Sequence, residues 1–321
     1  MADDNLPRPR NAVWAQWMLD WDRSMRAANL SPNTRYIYQL AAAQLADFLD
    51  DYAADLEAPP GTAKAAADPL DTKRAHVEEF LAWMTRTRSA SSALNKYKGL
   101  QQFFKYLVDD EEEMDRSPLD KIRQPKQTRK PVPVLADGQL VSLLQAVEGK
   151  DFRSRRDTAL VRLYLDAGAR LSEVVNLSLD DLDLALDVAR VVGKGDKHRN
   201  VPFGAKTGQA LSRYLRARAK HLNGRPSTAL WLSTRGAGPL TVSAVKTVFR
   251  RRGVEAGIDG LHAHLLRHKA AHDWLAAGGG ETDLMRLMGW SSREMLRIYA
   301  ESAADDRAHA AHKRMALADR L

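Results

Sequence analysis

Imidazole and guanidinium side chains that can bind anions or move protons are concentrated between residues 262 and 299 of the 321-residue chain. His264 and Arg267 are three residues apart, so a helix would place them on one face, with His268 beside them. Such a face is suited to presenting polar groups to an anion. Each residue alone also fits an ordinary packed or solvated role, so a purely structural interpretation stays open at this point.

The helix that carries these groups needs a second face for packing and a defined end. Leu266, Ala270 and Trp274, spaced by four, supply a face that can pack. The glycines at 278–280 are predicted to end the helix, as glycine commonly does just past a helix C-terminus. They lack the Lys-Ser/Thr of a P-loop, so they do not indicate a phosphate cradle.

Two short helices are predicted to follow. Residues 282–288 form the first, which Gly289 closes. Ser291 and Glu294 have the spacing of a capping box, which predicts the start of a last helix that carries Tyr299. These helices complete the stretch around which the rest of the chain is organised.

Taken together, these residues resemble the C-terminal signature of the tyrosine recombinases, the phage integrase family: H-x-x-R, then a His or Trp, then the nucleophilic Tyr. The chain has H-L-L-R-H at 264–268, G-W at 289–290 and Tyr299. The Trp lies 23 residues after the Arg and 9 before the Tyr, which is typical of the family. G-A-R-L-S-E at 168–173 resembles the family's first-arginine motif, and V-G-K-G-D-K-H-R at 192–199 resembles its lysine hairpin. These five matches occur in the family's order and cover nearly the whole chain.

The resemblance implies a site-specific recombinase that cleaves and rejoins DNA through a 3′-phosphotyrosyl bond, with no metal, no cofactor and no ATP. The catalytic residues it implies are Arg170, Lys194, His264, Arg267, Trp290 and Tyr299. Tyr299 would attack the phosphate while Arg170 and Arg267 bind its non-bridging oxygens. His264 would assist proton transfer from the phenol, and Lys194 would protonate the leaving 5′-oxygen. Glu173 and His268 are predicted to support this site.

Two choices within this set depend on particular positions. Lys194 follows Arg170 by 24 residues, the separation associated with the family's catalytic lysine, so we prefer it to Lys197. Trp290 stands where many members have His. Because an indole does not titrate, we expect it to position groups and donate one hydrogen bond. Ala169 replaces a larger apolar residue, and we expect only a packing consequence.

Two alternative functions stay open beside the recombinase. One is a catalytically silent DNA-binding protein of the same fold, although all six active-site positions carry competent residues. The other is a relaxing enzyme like the type IB topoisomerases, which share the covalent chemistry. A separate helical domain before the catalytic part resembles recombinases more. A metal-dependent transposase would need a trio of carboxylates, and the sequence offers no persuasive one.

Charge is distributed unevenly along the chain, whose formal net charge is +8 with a pI near 9.6. Residues 1–130 hold 19 Lys and Arg against 20 Asp and Glu, so the excess of positive charge lies in the remainder. This distribution predicts a polyanionic partner for the C-terminal part, and nucleic acid is the commonest such partner, although a merely basic soluble surface explains the charge alone equally well. The family resemblance implies that this partner is double-stranded DNA. The absence of cysteine excludes disulfides and thiolate metal sites.

The location expected from these features is the bacterial cytoplasm, in association with the nucleoid. The first residues are acidic and polar, unlike a secretory signal. No apolar run approaches membrane-spanning length, so no membrane partner is expected.

The pattern of elements predicts a mainly α fold with a small β-sheet. We predict a helical, SAM-like core-binding domain over 1–115, a basic Pro-rich linker over 116–133, and a mixed α+β catalytic domain with a C-terminal tail over 134–321. The linker contains four prolines and six Lys or Arg against one acid. It would adhere to a phosphate backbone, or act only as a solvated tether.

Several local elements of the first domain are predicted from residue spacing. Ser31 before Pro32 predicts a capped helix start. Tyr36, Leu40, Phe48, Tyr52 and Leu56 are predicted to form the apolar face of that helix. Residues 57–72 contain two prolines and a glycine that predict a loop.

In the catalytic domain we predict strands at Leu182–Leu186, Val188–Val192 and Asn200–Phe203, with a hairpin tip between the last two. A helix is predicted over Asp157–Ala167, another capped by Asp137, and a third over Thr241–Arg252.

Cations with no catalytic role are candidates for contact with DNA. They fall on a locally basic helix of the first domain, in the linker, at the hairpin and on the helix after residue 241: Arg86, Arg88, Lys96, Lys98, Lys105, Lys126, Arg129, Lys130, Lys197, His198, Arg199, Lys246, Arg250 and Arg251. A solvated helix face explains the first five equally well. Beyond DNA, the expected partners are further copies of the chain, as a tetramer on paired sites with the C-terminal tail docked in trans, and accessory DNA-bending or directionality proteins.

Overall fold

The computed structural model describes residues 6–126, 133–193, 196–300 and 304–316. It divides into two compact units, Met1–Lys130 and Pro131–Leu321. Within the described ranges, no helix is both long enough and apolar enough to cross a membrane. The predicted class, mainly helical with a small sheet, is confirmed.

The first unit is entirely helical over its described residues. Its elements are α1 (Ala12–Ala27), α2 (Pro32–Tyr52), α3 (Thr62–Ala67), a 3₁₀ turn (Pro69–Asp71), α4 (Arg74–Thr87), α5 (Ala90–Lys105) and a π-turn (Tyr106–Asp110). Ser31 caps α2 by accepting a hydrogen bond from the Thr34 amide, with Pro32 at the first helical position, which confirms the predicted start.

The apolar face predicted for α2 is wrong in part. Tyr36 is 42% exposed, and Leu56 lies beyond the end of the helix and is fully exposed. Beside Leu45 and Leu49, the packed face carries small and polar residues, among them Arg35, which is bonded to Asp22 of α1 at 2.8 Å. Small side chains let helices approach closely, and a buried guanidinium is stabilised when a carboxylate neutralises it.

Two segments predicted to be irregular contribute to the core of the first unit. The 57–72 segment contains α3, in which Ala65 and Ala66 are buried, because small residues fit against α2. The predicted linker begins at residue 116, yet Leu119 is 3% exposed within the apolar core. The hydroxyl of Tyr97 also donates to the carbonyl of Ile122 at 3.2 Å. The first unit therefore extends past the predicted boundary at residue 115.

The second unit surrounds a small sheet with helices. Its elements are α6 (Asp137–Val147), α7 (Phe152–Ala167), α8 (Leu171–Val175), β1 (Leu182–Asp183), β2 (Val188–Val192), β3 (His198–Pro202), α9 (Ala205–Leu222), α10 (Val242–Glu255), α11 (Ala263–Ala276), α12 (Glu281–Met288), α13 (Arg293–Ala300) and α14 (Ala304–Met315). The strands form an antiparallel sheet in the order β1-β2-β3, with Val188 opposite Pro202 and Val192 opposite His198.

Three predicted boundaries in this unit are corrected. Helix α7 begins at Phe152, where Asp151 is the cap, and not at Asp157. Asp157 is fully buried and bonded to arginines, so its carboxylate serves packing rather than a helix start. Asp137 is the first residue of α6, not its cap, and its carboxylate accepts from Lys269 of α11 at 2.7 Å. Strand β1 ends at Asp183.

The site is positioned by α7 and by the helices after α10. Helix α7 packs against α9 and against α11. Helices α11 to α13 share a small apolar cluster that includes Leu284, Met288, Leu296 and Tyr299. Helix α11 has no single polar face, since Leu266, Arg267 and His268 are all buried. The predicted polar face is therefore enclosed by neighbouring elements.

Candidate active site

The carboxylate of Glu173 organises one wall of the site. Gly168, with φ 52°, ends α7, and Arg170 directly precedes α8. Glu173, three residues into that turn, accepts from the Arg170 amide at 2.7 Å and from its Nη1 at 2.9 Å. Burial by itself would raise the pKa of Glu173, but hydrogen bonds from Arg199 and Arg170 lower it to about 2. The carboxylate is therefore charged at neutral pH and can fix the cations beside it.

Arg199, predicted to contact phosphate, is instead part of this wall. Its Nη1 and Nη2 donate to the two oxygens of Glu173 at 2.9 and 2.7 Å, and its Nε donates to the carbonyl of Leu287 at 2.9 Å. Only 14% of the side chain is exposed. The prediction for Arg199 is corrected, because its hydrogen-bonding geometry is used inside the protein.

Two consecutive carbonyls at the end of α12 orient the two predicted phosphate-binding arginines. Arg267 donates from Nη2 to the carbonyl of Met288 at 2.9 Å, and Arg170 donates from Nη2 to that of Gly289 at 2.8 Å. Arg267 also donates to the carbonyl of Gly168 at 2.5 Å. Both guanidiniums are therefore held by backbone acceptors at helix ends, where carbonyls lack helical partners. Arg267 is buried, whereas 41% of the Arg170 side chain is exposed.

Two features favour glycine at position 289. Its φ is 64°, in the left-handed region that L side chains rarely adopt. A Cβ atom at this position would also lie 3.0 Å from Cζ of Arg199 and 3.3 Å from Nη1 of Arg170. The backbone at this turn can therefore approach the arginines only because no side chain intervenes.

The phenol of Tyr299 lies among three ring systems. Its oxygen is 3.3 Å from Nε2 of His264. The indole of Trp290 stacks on its ring with centroids 4.5 Å apart, and the ring of His268 is 4.4 Å away. The Tyr299 side chain is 1% exposed. The structure thus brings together the phenol, both histidines, the tryptophan and the arginine pair predicted from their separate motifs.

Some buried polar atoms at the site lack partners within the described part of the chain. They are Nε1 of Trp290 and both ring nitrogens of His268. A buried donor without a partner carries a free-energy cost. The indole N–H is therefore suited to a ligand atom that enters beside Tyr299.

The protonation states follow from burial and from the two arginines. Burial raises the pKa of Tyr299, and the charges of Arg267 and Arg170 act in the opposite direction. Desolvation and the charge of Arg267 lower the pKa of His264. Burial lowers the pKa of His268 to about 4. At neutral pH both imidazoles are therefore neutral and the phenol is protonated, so Nε2 of His264 can accept a proton.

Helix α10 contributes a polar face to the same cleft, which has a volume of about 780 Å³. Lys246 and Arg250, both predicted to contact DNA, line it together with Ser243 and Thr247, which the sequence analysis missed. Their spacing of three, four and seven residues is a single helix face and could have revealed them. Arg251, also predicted to contact DNA, is engaged elsewhere: its Nη2 donates to Asp157 at 2.9 Å.

The hairpin between β2 and β3 is only partly described. Lys194 lies outside the described residues, so its predicted role stays a prediction. Lys197 and His198 are exposed, and His198 is 3.7 Å from the carboxylate of Asp196. In the linker, Lys126 is exposed, whereas Arg129 and Lys130 lie outside the described ranges.

The candidate cations of the first unit differ in their surroundings. Arg88 and Lys98 are exposed. Arg86 is exposed but lines a pocket with five carboxylates, and Lys105 is paired with Asp109. Lys96 is partly buried, and that burial lowers its pKa to about 8. Only Arg88 and Lys98 of this group have the unopposed, exposed charge expected of a phosphate contact.

Comparison with known proteins places this geometry in a family. The family described as "Phage integrase family" matches residues 133–306, and "Phage integrase, N-terminal SAM-like domain" matches residues 17–113. The chain is 33% identical to tyrosine recombinase XerC of Pseudomonas aeruginosa over 283 residues, 84% of this chain and 91% of that protein. It is 33% identical to tyrosine recombinase XerD of Corynebacterium glutamicum over 276 residues, 81% of this chain and 89% of that one.

Solved structures share the fold at lower sequence identity. The XerH site-specific recombinase bound to palindromic difH substrate, in a post-cleavage complex, matches with a TM-score of 0.71 and 20% identity, covering 96% of this chain and 90% of that chain. The Tn1549 transposon integrase in complex with a circular intermediate DNA matches with a TM-score of 0.68 and 20% identity, covering 93% and 99%. The family match covers more than half of the chain, and the curated relatives are matched over most of their length. The chain therefore belongs to the phage integrase family of tyrosine recombinases.

Proposed function

We propose that the protein is a site-specific DNA recombinase in which Tyr299 forms a transient covalent bond with DNA. The observation that carries this proposal is the distance of 3.3 Å between the phenol oxygen and Nε2 of His264, in a cleft that Arg170 and Arg267 also line. Nucleophile, base and cations are the parts that a phosphodiester cleavage needs.

In the proposed reaction the Tyr299 oxygen attacks the phosphorus atom as its proton passes to His264. The bond from phosphorus to the 5′-oxygen breaks, which leaves a 3′-phosphotyrosyl ester and a 5′-hydroxyl. Lys194 would protonate that leaving oxygen, a role that rests on the resemblance alone. Attack by a 5′-hydroxyl of another strand reverses the step, so strand exchange needs neither ATP nor an external nucleophile.

Charge stabilisation comes from groups whose orientation is already set. Arg170 and Arg267 would bind the non-bridging oxygens, since their guanidiniums are held by carbonyls before substrate arrives. The N–H of Trp290, which has no partner among the described residues, would donate to the same phosphate. Because Tyr299 is almost completely buried, α13 has to shift when a phosphate enters the cleft.

Duplex DNA as the partner is supported by the cleft and by the relatives. The face of α10 that carries Lys246 and Arg250 lines the cleft beside Tyr299, where it could contact backbone or bases. The XerH recombinase is bound to its difH substrate and the Tn1549 integrase is in complex with a circular intermediate DNA in their solved structures. Lys197, His198, Arg88 and Lys98 are secondary candidates for backbone contact.

The finer organisation is proposed on the same grounds. The first unit would act as the core-binding domain, the segment from about residue 123 to 133 as linker, and the second unit as catalytic domain. Assembly would be a tetramer on paired sites, with α14 docked on a neighbouring copy, since Met315 on this helix is 54% exposed. A deletion from about Ser302 that still forms synaptic complexes would count against docking in trans. Accessory DNA-bending proteins and a nucleoid location complete the proposal.

The proposal is tested with nicked suicide duplexes that carry candidate sites, in buffer with EDTA. Wild-type protein should form a covalent protein–DNA product that resists SDS, and Tyr299→Phe should form none while it still binds the duplex. Binding without covalent product from the wild type would favour the silent DNA-binding alternative. Relaxation of supercoiled plasmid without any exchange between sites would favour the topoisomerase-like alternative.

A further inference from the structure

The second unit carries a basic groove that the proposed active site does not use. This α7–α9 groove has a volume of about 800 Å³. Its charged lining consists of five cations and one carboxylate: Lys150, Arg155, Arg162, Lys206, Arg213 and Glu148. It shares no lining residue with the cleft that contains Tyr299. A concentration of positive charge therefore lies apart from the cleft that contains Tyr299.

The α7–α9 groove lies on the opposite side of α7 from the active site. Arg155 and Arg162, seven residues apart, project from one face of α7 into the groove. Tyr164 packs against Phe249 of α10, and the carbonyl of Gly168 holds Arg267. At about 100° per residue, Tyr164 is turned roughly half a circle from Arg155. A ligand in this groove would leave the active-site cleft accessible.

The groove cations are not neutralised by carboxylates within the described residues. Arg155 donates to the carbonyl of Arg213 at 3.5 Å, and no ion pair joins any of the five to an acid. Arg156, the next residue of α7, shows the contrast, because it is buried and bonded to Asp157 at 2.8 Å. Clustered cations that lack internal partners attract an external anion.

The exposed face of α9 extends this charge in a line. Lys206, Arg213, Arg216 and Lys220 lie on one stripe of the helix, all exposed, and residues 205–222 contain no acid. At 1.5 Å per residue the stripe is about 21 Å long, which corresponds to roughly six base pairs of duplex at 3.4 Å each. A linear array of this length suits a polyanion with regularly spaced charges better than a single small anion.

We propose that the α7–α9 groove and the α9 stripe bind the phosphate backbone of a second duplex segment, separate from the one held beside Tyr299. The choice of DNA as the polyanion rests on the proposed function; the existence of an anion site does not. One protomer would then hold DNA on two opposite faces. It could bridge two duplexes, or hold DNA that bends back from the flank of its own site.

Lysine footprinting tests the site without requiring catalysis. The full-length protein is acetylated with a water-soluble ester, alone and with a 60-bp duplex of arbitrary sequence. We expect Lys150 and Lys206 to become at least threefold less reactive, while exposed Lys64 of the first unit stays unchanged. Unchanged reactivity at Lys150 and Lys206 while Lys246 of the cleft is protected would overturn the proposal. Protection by inorganic tripolyphosphate but not by the duplex would overturn the assignment to DNA.

A pair of charge-matched variants tests the consequence for bridging. Arg162→Gln/Arg213→Gln removes two groove cations, and Arg23→Gln/Arg74→Gln removes two cations that pair with carboxylates on the first unit. Co-association of two differently labelled duplexes should fall at least tenfold in the groove variant alone. In the groove variant, the slope of the logarithm of the DNA-binding constant against the logarithm of the salt concentration should become shallower by about 1.8, since each of the two lost phosphate contacts accounts for about 0.9. If the wild type bridges two duplexes and both variants bridge them equally well, the proposal is contradicted.

The two proposals fail in different ways. The groove variant should give the wild-type yield of covalent product on a short suicide duplex, because no groove residue lines the catalytic cleft. If the wild type gives no covalent product but its groove lysines are protected, the proposed function fails and the groove assignment stands. If a single duplex of 60 bp is protected but two duplexes are not bridged, the second segment belongs to the same molecule of DNA.

Discussion

Arg199 and Glu173, 26 residues apart in the chain, form a two-pronged ion pair with N–O distances of 2.9 and 2.7 Å. The pair joins β3 to the turn that carries Arg170, and Arg170 shares the same carboxylate. The guanidinium of Arg170, proposed to bind the phosphate, is thus positioned through an acid that a second arginine holds in place. Hydrogen bonds of this kind to Glu173 fix the orientation of the Arg170 guanidinium before substrate binds.

Replacement of Glu173 by Gln should therefore disturb both stability and cleavage. Two guanidiniums would lose a buried charge partner, and breaking a buried pair costs about 3–5 kcal/mol. We expect a lower free energy of unfolding and at least a tenfold loss of covalent product. Urea titrations and suicide-substrate assays measure the two effects. Wild-type values in both would show that the carboxylate does not position Arg170.

The same carboxylate predicts a pH dependence of stability. Its folded pKa of about 2 lies below the unfolded value near 4.5, so the ion pair stabilises the protein above the unfolded pKa. This contribution, on the order of 3 kcal/mol, should be lost as the pH falls from about 4.5 toward 2. The free energy of unfolding, measured by denaturant titration at several pH values across this window, should change less with pH in Glu173→Gln than in the wild type.

Replacement of Gly289 by Ala should reduce stability and cleavage more than replacement of Gly257 by Ala. Both Gly289 and Gly257 have positive φ, 64° and 69°, but only at Gly289 would a Cβ meet a neighbour. Gly257→Ala should cost about 1–2 kcal/mol of stability and keep cleavage activity. Gly289→Ala should cost more and reduce cleavage at least tenfold, since Arg199 and Arg170 must move. Equal behaviour of the two variants in thermal unfolding and cleavage would count against this role.

Two functions of the Trp290 indole, packing against Tyr299 and donating a hydrogen bond, can be tested separately. Trp290→Phe keeps a ring against Tyr299 but removes the indole N–H. We expect single-turnover cleavage to slow by about 10- to 100-fold, less than the loss expected for a main oxyanion donor. Binding affinity for the duplex should stay unchanged. If Trp290→Phe were as inactive as Tyr299→Phe, a role limited to positioning and one hydrogen bond would not account for the loss of cleavage.

Protonation of His264 should make the cleavage rate fall at low pH. A base must be neutral to accept the phenol proton, and desolvation lowers the pKa of His264 below its ordinary 6.5. Near pH 7 His264 is already neutral, so its titration should not affect the single-turnover rate there. The rate should fall as the pH drops through the lowered pKa of His264. In His264→Gln the rate should be low throughout and should not show this fall at low pH. A wild-type fall retained in the variant would assign it to another group.

Adjacent arginines on α10 should behave differently. Arg250 lines the cleft, whereas Arg251 is bonded to buried Asp157. Arg250→Gln should weaken duplex binding and reduce the salt slope by about 0.9 without loss of thermal stability. Arg251→Gln should lower the melting temperature and leave the salt slope unchanged. Fluorescence anisotropy at several salt concentrations and thermal melts distinguish the pair.

Much of the site follows from the resemblance of a few motifs to those of a known family. That resemblance implied that Arg267, Trp290 and Tyr299 are neighbours, and the structure places them around one phenol. Arg199 was misassigned because a cation next to a hairpin tip is ordinarily exposed. Its burial depends on Glu173 and on the carbonyl of Leu287, which are 26 and 88 residues away. Such long-range partners leave no local pattern.

The helices of the fold also depend on partners that are distant in the sequence and cannot be predicted from local patterns. Capping residues predicted the start of α2, because a cap acts within three residues. The packed face of α2 could be predicted from apolar spacing only in part, since Arg35 is buried through its ion pair with Asp22 of another helix. Asp157 looked like a helix start for a similar reason: its buried arginine partners come from α7 itself and from α10.

The neighbouring carbonyls of Met288 and Gly289 have a mechanical consequence. Since one peptide unit steers Arg267 and its neighbour steers Arg170, a small rotation at the end of α12 would displace both cations at once. Any contact that twists this turn, from DNA or from another copy of the chain, would therefore switch the pair as a unit, and a protomer with one arginine engaged and the other withdrawn should be rare.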